Sequence, residues 1–382
     1  MSALQETAAG EPPRVAVVGM SLGASCGVRD HATLLAAALE AGGVPCSWHW
    51  LMRGASGLAG ERAELGGFCD RLAAELERER PRAIVVHYSV FAYSFKGLPV
   101  LVPRVFSMLR ERGVPIVAVL HEFAYPWFYG GWRGAIWAVS QRAVMARVIG
   151  SADAVLVTAH SRGEWLQTRP WLPRRPIAVA PVYSNLPPPA MIAERPEPPR
   201  VIGLFGYAYQ GAAVELIVGA LASLRAAGRD FELRLLGQPG ADSEGGRAWA
   251  RQAREAGIAE LVTFTGTLPA QELSDQLAAC DLLLFADLAG PSSRKGTLAG
   301  SLASGRPIVA LDGPAAWPAF TAEQALRTVQ PTEAALAAAL EELLGDRAEL
   351  EAQGRRGREF YEREMSIEHT ARVTLELLSA RG

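Results

Sequence analysis

Lysine is nearly missing from this chain of 382 residues. Only Lys96 and Lys295 occur among 38 basic residues, so arginine fills almost every basic position. Basic and acidic residues nearly balance, with a formal net charge of −2, and the sequence therefore gives no electrostatic reason to expect a nucleic-acid partner. A lysine that persists in such a chain is a candidate for a specific task.

Cysteine is scarce and lacks the spacing of a metal site. The four cysteines form no CxxC pair and stand near no histidine at metal-ligand spacing; they are Cys26, Cys46, Cys69 and Cys280. We expect reduced thiols in a cytoplasmic protein. No run approaches the roughly 18 apolar residues that a membrane-spanning helix needs. Residues 1–12 are polar and acidic, unlike a signal peptide, and we expect a disordered tail there.

Several motifs that would fix a function are also absent. Loop 20–31 follows the first predicted strand and contains glycines, yet it is not a GxGxxG dinucleotide fingerprint. The chain contains no Walker A, GxSxG or HExxH motif. The candidate ligand-binding residues in this loop are Gly27, Asp30 and His31. Glycine lets the backbone approach a ligand, and Asp30 and His31 lie in the first turn of the predicted helix.

What the chain does contain is a regular alternation of strands and helices, which predicts parallel sheets with right-handed crossovers. Residues 184–199 hold six prolines and predict an interdomain linker. We predict an α/β protein of two doubly wound, Rossmann-like domains that face each other across a cleft. Their predicted bounds are 13–184 and 200–358, with the linker at 185–199. The last segment, Arg347–Leu378, is predicted to be one long charged helix.

The most informative segment is residues 281–311. It predicts a buried strand, a Gly/Pro/Ser loop, a helix of small residues and a second apolar strand. The helix would begin in the cationic loop Ser292-Ser293-Arg294-Lys295-Gly296-Thr297. A helix N-terminus presents free N–H groups and a positive dipole end, so it accepts phosphate. The sequence thus indicates an anion site with Arg294 and Lys295 as its cations, and a solvated helix cap is the alternative.

Three predicted strands of the first domain run directly into His87, His121 and His160. Parallel strands share one carboxyl edge, so these imidazoles are expected to lie at one rim. Histidine is a general acid or base near neutral pH and a donor to phosphate or sugar oxygens. The alternatives are histidines that cap loops, and a three-histidine zinc site that depends on convergence in three dimensions.

An aromatic segment at residues 123–137 follows His121 and Glu122. It contains Phe123, Tyr125, Trp127, Phe128, Tyr129, Trp132 and Trp137. Aromatic faces stack on sugar rings and other flat acceptors. Together with nearby arginines, the same residues suit a peripheral membrane contact, and packing in the core is a third interpretation.

In its layout the chain resembles the GT-B glycosyltransferases, specifically the retaining glycosyl-group-one transferases. The resemblance covers nearly the whole chain and rests on CGVRDHATLLAAALEAGG, VLHEF, VTAHSRGEWL and APVYSNLP in the first half. In the second half it rests on VTFTGTLPAQELSDQLAACDLLLF followed by LASGRPIVA. It implies that residues 359–382 form a crossover helix that returns to the first domain.

The chain departs from that family's pattern in two ways. The family carries two glutamates, eight positions apart, before its GxPVV strand, and those positions hold Ser292 and Gly300 here. The family's phosphate-binding lysine corresponds to Gln210. The SSRKG loop resembles an SSRRG variant of the group, so Arg294 and Lys295 are expected to replace the missing cation.

The resemblance implies retaining transfer of a sugar from a nucleotide-diphosphate sugar to a small-molecule, glycan or lipid-linked acceptor, without metal or cofactor. Catalysis is assigned to His121, Glu122, Arg294 and Lys295. The expected donor-binding residues are Gly206, Tyr207, Gln210, Gly237, Gln238, Thr267, Leu268, Ser292, Ser293, Gly296 and Thr297. The expected acceptor-binding residues are Gly27, Asp30, His31, His87, Trp127, Phe128 and His160.

Two other functions stay open at this point. The missing glutamates favour a catalytically inactive GT-B protein that only binds a nucleotide sugar. A sugar-nucleotide epimerase of the same fold is the second alternative. The base, the sugar and the acceptor have no signature in the sequence.

Overall fold

The computed structural model describes residues 14–23, 26–55, 57–93, 98, 102–122, 124, 127, 131–190, 200–206, 212–237 and 240–379. The chain divides into two compact units. Unit 1 comprises Met1–Pro181 and Ile367–Gly382, and unit 2 comprises Val182–Ser366.

Unit 1 is built on a parallel sheet of six strands in the order β2-β1-β3-β4-β5-β6. The strands are β1 (Val15–Ser21), β2 (Cys46–Met52), β3 (Ala83–Tyr88), β4 (Ile116–Leu120), β5 (Ala154–Val157) and β6 (Ile177–Val179). The helices are α1 (Gly27–Ala41), α2 (Gly57–Glu79), α3 (Val102–Arg110), α4 (Gly131–Ser151) and α5 (His160–Gln167). Strands β1, β3, β4 and β5 are buried along their whole length, because helices cover both faces of the sheet.

Unit 2 repeats this architecture with six parallel strands in the order β12-β11-β10-β7-β8-β9. The strands are β7 (Arg200–Phe205), β8 (Phe231–Leu236), β9 (Val262–Phe264), β10 (Leu282–Phe285), β11 (Ile308–Leu311) and β12 (Arg327–Val329). The helices are α6 (Ala212–Ala226), α7 (Glu244–Glu255), α8 (Ala270–Ala279), α9 (Gly296–Ala303), α10 (Pro318–Ala322), α11 (Glu333–Gly345) and α12 (Arg347–Phe360).

The order of the strands fixes where each unit can bind a ligand. In unit 1 the order reverses between β1 and β3, and in unit 2 it reverses between β7 and β10. The loops that leave neighbouring strands diverge at such a switch point and open a crevice at the carboxyl edge of the sheet. The predicted pair of doubly wound Rossmann-like sheets is confirmed, and its two switch points locate the sites described below.

The C-terminal segment differs from its prediction as a single helix. Helix α12 passes into a π-helical turn, Tyr361–Met365, and a new helix, α13 (Ile367–Ser379), begins after Ser366. Ser366 has extended backbone (φ −73°, ψ 160°), which breaks the helical path. Helix α13 belongs to unit 1 and packs against α1, β4 and β5.

The sequence pattern also missed three strands and two helices, α5 and the five-residue α10. Strand β2 alternates between covered and exposed positions at the edge of its sheet, and β6 and β12 have three residues each. None of them forms the continuous apolar run of a central strand. The missed helix α5 begins at His160. Among the described residues, no helix is both long and apolar enough to cross a membrane.

Candidate active site

The cationic loop of unit 2 leads into α9 at the switch point between β7 and β10. Lys295 occupies the N-cap position with extended backbone, and its side chain makes no capping hydrogen bond. Arg294 is exposed, whereas Ser292 and Ser293 are buried. Helix α9 therefore begins directly after two cationic side chains, of which Arg294 is exposed and Lys295 is partly exposed. The loop that carries them also contains two buried serines.

Lys295 forms an ion pair inside this loop. Its Nζ lies 2.7 Å from Oδ2 of Asp287, which also accepts a hydrogen bond through Oδ1 from the Ala289 amide. Burial alone would raise the pKa of Asp287. The hydrogen bonds from Lys295 and Ala289 and the charges of Lys295 and Arg294 outweigh it, and the pKa lies below its ordinary value. The sequence analysis did not single out Asp287, although a polar residue just beyond a buried strand is a usual signal of a site.

Backbone contacts make this loop rigid. Gly290 has a φ of +90°, which favours glycine, and a Cβ there would meet the Gly313 backbone at 2.8 Å. The amides of Ala315 and Trp317 donate to the carbonyls of Ala289 and Pro291. The cations at the helix start are thus held by a fixed scaffold, which reduces the entropy lost on binding a ligand.

At Gly300, one of the two positions where the family resemblance leads one to expect a glutamate, the packing leaves little room for a side chain. Gly300 is buried in α9, and a Cβ there would lie 3.2 Å from the Phe205 ring, 3.3 Å from Leu186 and 3.5 Å from the Ser184 hydroxyl. An acidic side chain would have to displace these neighbours. The Val182 amide donates to the Ser293 carbonyl at 2.9 Å and fixes the segment that carries Ser184 and Leu186.

Other predicted donor-binding residues lie around the same switch point. Gly206 follows β7 with a φ of +72°, and a Cβ there would clash with Thr297 Cγ2 at 2.8 Å. Gly237 follows β8 with a φ of +74°, and its amide donates to Thr265 Oγ1 at 3.3 Å. Gly206 thus brings the loop after β7 close to the start of α9. Thr267 is exposed and Leu268 packs on the core. Tyr207, Gln210 and Gln238 lie outside the described residues.

A group of three histidines lies at the switch point of unit 1. His31 comes from α1, His87 from β3 and His121 directly follows β4, and one ring nitrogen of each lies within 4.8 Å of the others. His87 Nδ1 and His121 Nε2 are 3.0 Å apart. The ring centroids of His31 lie 5.6 Å from His87 and 4.8 Å from His121.

Burial keeps these imidazoles neutral. It lowers the pKa of His31 to about 3. Burial also holds the pKa of His87 well below its ordinary value, with a further contribution from His31. The pKa of His121 is lowered in the same way by burial, then by the two other histidines and by Arg162. A neutral imidazole can donate a hydrogen bond through one ring nitrogen and accept one, or bind a metal, through the other.

Two neighbours of this group extend the polar edge of unit 1. The Ser89 hydroxyl donates to Glu122 Oε2 at 2.7 Å, and Arg162 donates to the His121 carbonyl oxygen at 2.6 Å. Arg162 and Ser89 were not singled out in the sequence, because single polar residues in helices and turns give no distinctive pattern. His160, predicted to join the histidines, instead begins α5 with an exposed side chain, since β5 ends three residues before it, at Val157. Gly27 and Asp30 are exposed at the start of α1.

The aromatic segment is only partly described. Trp127 is 48% exposed and stacks against Arg142, with 4.2 Å from the guanidinium carbon to the ring centroid. Trp132 is 69% exposed and Trp137 is half-buried. Phe128 and five neighbouring positions, among them Phe123, Tyr125 and Tyr129, lie outside the described residues. The interpretation as a core-packed connection is wrong for Trp127 and Trp132, because both rings face solvent.

Helix α4 presents an apolar stripe on the side opposite its packed face. Trp132, Ile136 and Val139 are 69%, 48% and 57% exposed. At about 100° per residue they fall within an arc of about 60°. The helix carries three arginines and no acidic residue, and its buried face includes Ala138, Met145 and Val148. We call Trp132, Ile136 and Val139 the α4 stripe.

Residues 199–346, which make up most of unit 2, match the family described as glycosyl transferases group 1. No curated protein sequence matches the chain at a significant level. Solved structures match over nearly its whole length. A glycosyltransferase from Rickettsia africae ESF-5 is 12% identical, with a TM-score of 0.71 and coverage of 96% of this chain and 97% of that one.

Two further structures have the same architecture. A sucrose-phosphate synthase from Thermosynechococcus elongatus is 17% identical, with a TM-score of 0.61 and coverage of 96% and 98%. HepE from Anabaena, solved in complex with UDP, is 14% identical, with a TM-score of 0.64 and coverage of 96% and 100%. These likenesses concern the fold, whereas the family match concerns the sequence of unit 2. Residues 199–346 are therefore similar in sequence to the group 1 glycosyl transferases, and the chain as a whole has the GT-B fold of two Rossmann-like units.

Proposed function

We propose that this glycosyltransferase transfers a sugar from a nucleotide-diphosphate sugar whose diphosphate binds at the start of α9. The observation that carries this proposal is the position of Arg294 and Lys295 at an uncapped helix N-terminus on a switch point. A helix N-terminus and two cations favour an anion together. UDP is the ligand that HepE binds, and a uridine donor is the first to test here.

The chemistry requires stabilisation of the leaving group. As the bond from the anomeric carbon to the diphosphate oxygen breaks, negative charge grows on the diphosphate. Oriented donors in a fixed scaffold stabilise that charge more than they stabilise the ground state. Arg294, Lys295 and the free amides of the first turn of α9 supply these donors, and Asp287 holds Lys295 in place until the donor arrives.

Within unit 1, His121 is our candidate for the contact with the transferred sugar. It directly follows β4 at the carboxyl edge of the sheet, and burial keeps its imidazole neutral. A neutral imidazole can donate to a sugar hydroxyl without adding a charge. Glu122 is the neighbouring carboxylate, and its link to Ser89 orients it. Retention of the anomeric configuration is part of the proposal and follows from the resemblance to retaining enzymes.

We also propose that the acceptor is presented at a lipid surface and that the α4 stripe lies against it. Three large apolar side chains exposed along one face of a helix are typical of interfacial membrane binding. Arg133 and Arg147 are exposed on the same helix, which carries no acidic residue. Its positive charge complements anionic headgroups. A lipid-linked acceptor fits this location better than a soluble one.

A two-step experiment tests the proposal. Thermal shift against UDP-, GDP- and dTDP-sugars identifies the donor, because a ligand at 100 times its Kd adds about 2.7 kcal/mol of stability. The donor is then incubated with the protein, and free nucleoside diphosphate is measured. Release of the diphosphate supports a transferase. Binding without release supports an inactive nucleotide-sugar-binding protein, and conversion to another nucleotide sugar without release supports an epimerase.

A further inference from the structure

The three histidines of unit 1 satisfy the basic requirements of a metal site. Their ring nitrogens come from three different elements, α1, β3 and the end of β4, and lie within 4.8 Å of one another. A tetrahedral ion with metal–nitrogen bonds of about 2.0–2.1 Å separates its ligand nitrogens by about 3.4 Å. The spacing of 3.0 Å between His87 and His121 is already close to this value. Only His31, near the start of α1, has to approach.

A closed hydrogen-bond network does not account for the group. His87 is fully buried, and its Nδ1 faces His121 Nε2. Its other nitrogen, Nε2, has no hydrogen-bond partner among the described residues. An ion bound by His87 Nδ1 and His121 Nε2 would leave this nitrogen unchanged, so the convergence of the three rings is the observation that carries the site. Three imidazoles that converge from three separate elements are an arrangement in which histidine binds a metal.

We propose that His31, His87 and His121 together bind one divalent transition-metal ion, of which Zn²⁺ is the first to test. Imidazole ligands suit zinc, copper, nickel and iron rather than the hard cations Mg²⁺ and Ca²⁺. Three protein ligands leave a fourth position for water or for an oxygen of a bound molecule, as in sites where the metal takes part in chemistry. Arg162, which donates to the His121 carbonyl oxygen, and Glu122, the next residue in the chain, have opposite charges.

The site goes beyond the proposed donor chemistry of unit 2. His121 would bind the ion through Nε2, which leaves Nδ1 for a sugar hydroxyl, so the two proposals are compatible. Metal content is measured on the isolated protein without any sugar. A failure of the metal proposal therefore leaves the donor proposal untouched, and the reverse also holds.

The test is a titration of the full-length, chelator-treated protein with Co²⁺ and Zn²⁺. We expect one ion per chain and the visible absorption of tetrahedral Co²⁺ without a thiolate charge-transfer band. Loss of one ligand should weaken binding at least about 100-fold, because loss of an outer-shell partner alone costs 10- to 100-fold. His31→Gln and His87→Gln are the variants. His369→Gln is the matched control, since His369 is partly exposed and outside the group.

X-ray absorption at the zinc edge keeps the proposal testable if a variant does not fold, because it uses only the wild-type protein. Three imidazole ligands in that spectrum support the site. Three results would overturn the proposal. The first is zinc bound by other ligands, and the second is no ion retained from a 100 µM solution, which is roughly the Kd limit of a weak metal site. The third is equal binding by wild type and both variants.

Discussion

Lys295 Nζ lies 2.7 Å from Asp287 Oδ2, so one of the two lysines of the chain is paired within the loop that starts α9. The pair is partly exposed and held by a rigid backbone. A phosphate that binds at this loop can replace the Asp287 carboxylate as the ion-pair partner of the Lys295 ammonium group. The first two predictions concern this exchange.

Lys295→Ala and Arg294→Ala should each weaken donor binding about tenfold to a hundredfold. Hydrogen bonds between charged groups contribute roughly 1.5–3 kcal/mol, and each variant removes one such donor. Calorimetric titration with the identified donor measures the effect. Arg347→Ala is a matched control, because Arg347 is an exposed arginine at the start of α12, paired only with Glu351 in the described contacts. Wild-type affinity in both loop variants would contradict the assignment of Arg294 and Lys295 as phosphate-binding residues.

Asp287→Asn should have the opposite effect and tighten donor binding, because it removes a negative charge that competes with the phosphate for Lys295. The same variant tests the pH dependence of stability. The folded pKa of Asp287 is lowered, so its ionised form stabilises the protein above the unfolded pKa of about 4, and this stabilisation is lost as the pH falls through the folded value.

Urea unfolding of wild type and Asp287→Asn from pH 7 to pH 3 checks that statement. We expect a constant difference in the free energy of unfolding between pH 7 and pH 5, and a shrinking one below pH 4. A difference that grows as the pH falls would mean that Asp287 is not stabilised as the carboxylate.

His121→Ala should impair turnover more than nucleotide binding. His121 belongs to unit 1, whereas the donor's diphosphate is proposed to bind in unit 2. The comparison is between kcat at saturating donor and the Kd for the nucleoside diphosphate, measured on the same preparation. Loss of nucleotide affinity with unchanged kcat would assign His121 to the nucleotide rather than to the sugar.

Gly300→Glu, which restores one of the family's glutamates, should destabilise unit 2 by at least about 2 kcal/mol. The new side chain overpacks against Phe205 and Leu186 and buries an unpaired charge. Gly245→Ala in α7 is the control for a glycine in open space, and it should stabilise by about 0.5–1 kcal/mol. Chemical unfolding measures both. Unchanged stability in Gly300→Glu would show that the packing around Gly300 does not exclude the glutamate.

Trp132→Glu and Val139→Glu should each weaken binding to phosphatidylglycerol vesicles about tenfold, because each removes a large apolar side chain from the interface, worth roughly 1.5–3 kcal/mol when fully buried. Vesicle sedimentation measures the partition. Leu58→Glu on α2 is the control, since Leu58 is comparably exposed at 42%. Equal binding by all three variants, or no binding by wild type, argues against the α4 stripe as a membrane contact.

The sequence predicted the repeated strand–helix units well, since the central strands are long apolar runs between glycine-rich loops. It missed three of the four edge strands, β2, β6 and β12, of which β6 and β12 have only three residues each and no periodicity. The sequence also could not predict the break in the helix at Ser366, because the charged residues on both sides continue a helical pattern.

Some of the candidate site residues could likewise be predicted from the sequence and others could not. Residues adjacent in the sequence, such as Arg294 and Lys295, were found because they share one motif. His87 and His121 were found because parallel strands end at one edge. The histidine group contains His31 instead of His160, and this depends on where α1 and α5 begin, which the sequence did not indicate. The pair of Asp287 and Lys295 likewise depends on the path of the loop.

The most direct test of the account is the release of nucleoside diphosphate from the donor that thermal shift identifies, compared between wild type and the Arg294→Ala/Lys295→Ala double variant. The account predicts release by the wild type and a loss of at least about 100-fold in the double variant, since two charge-assisted contacts to the leaving group are removed. No release from any of the UDP-, GDP- and dTDP-sugars by the wild type, or equal release by both proteins, would contradict it.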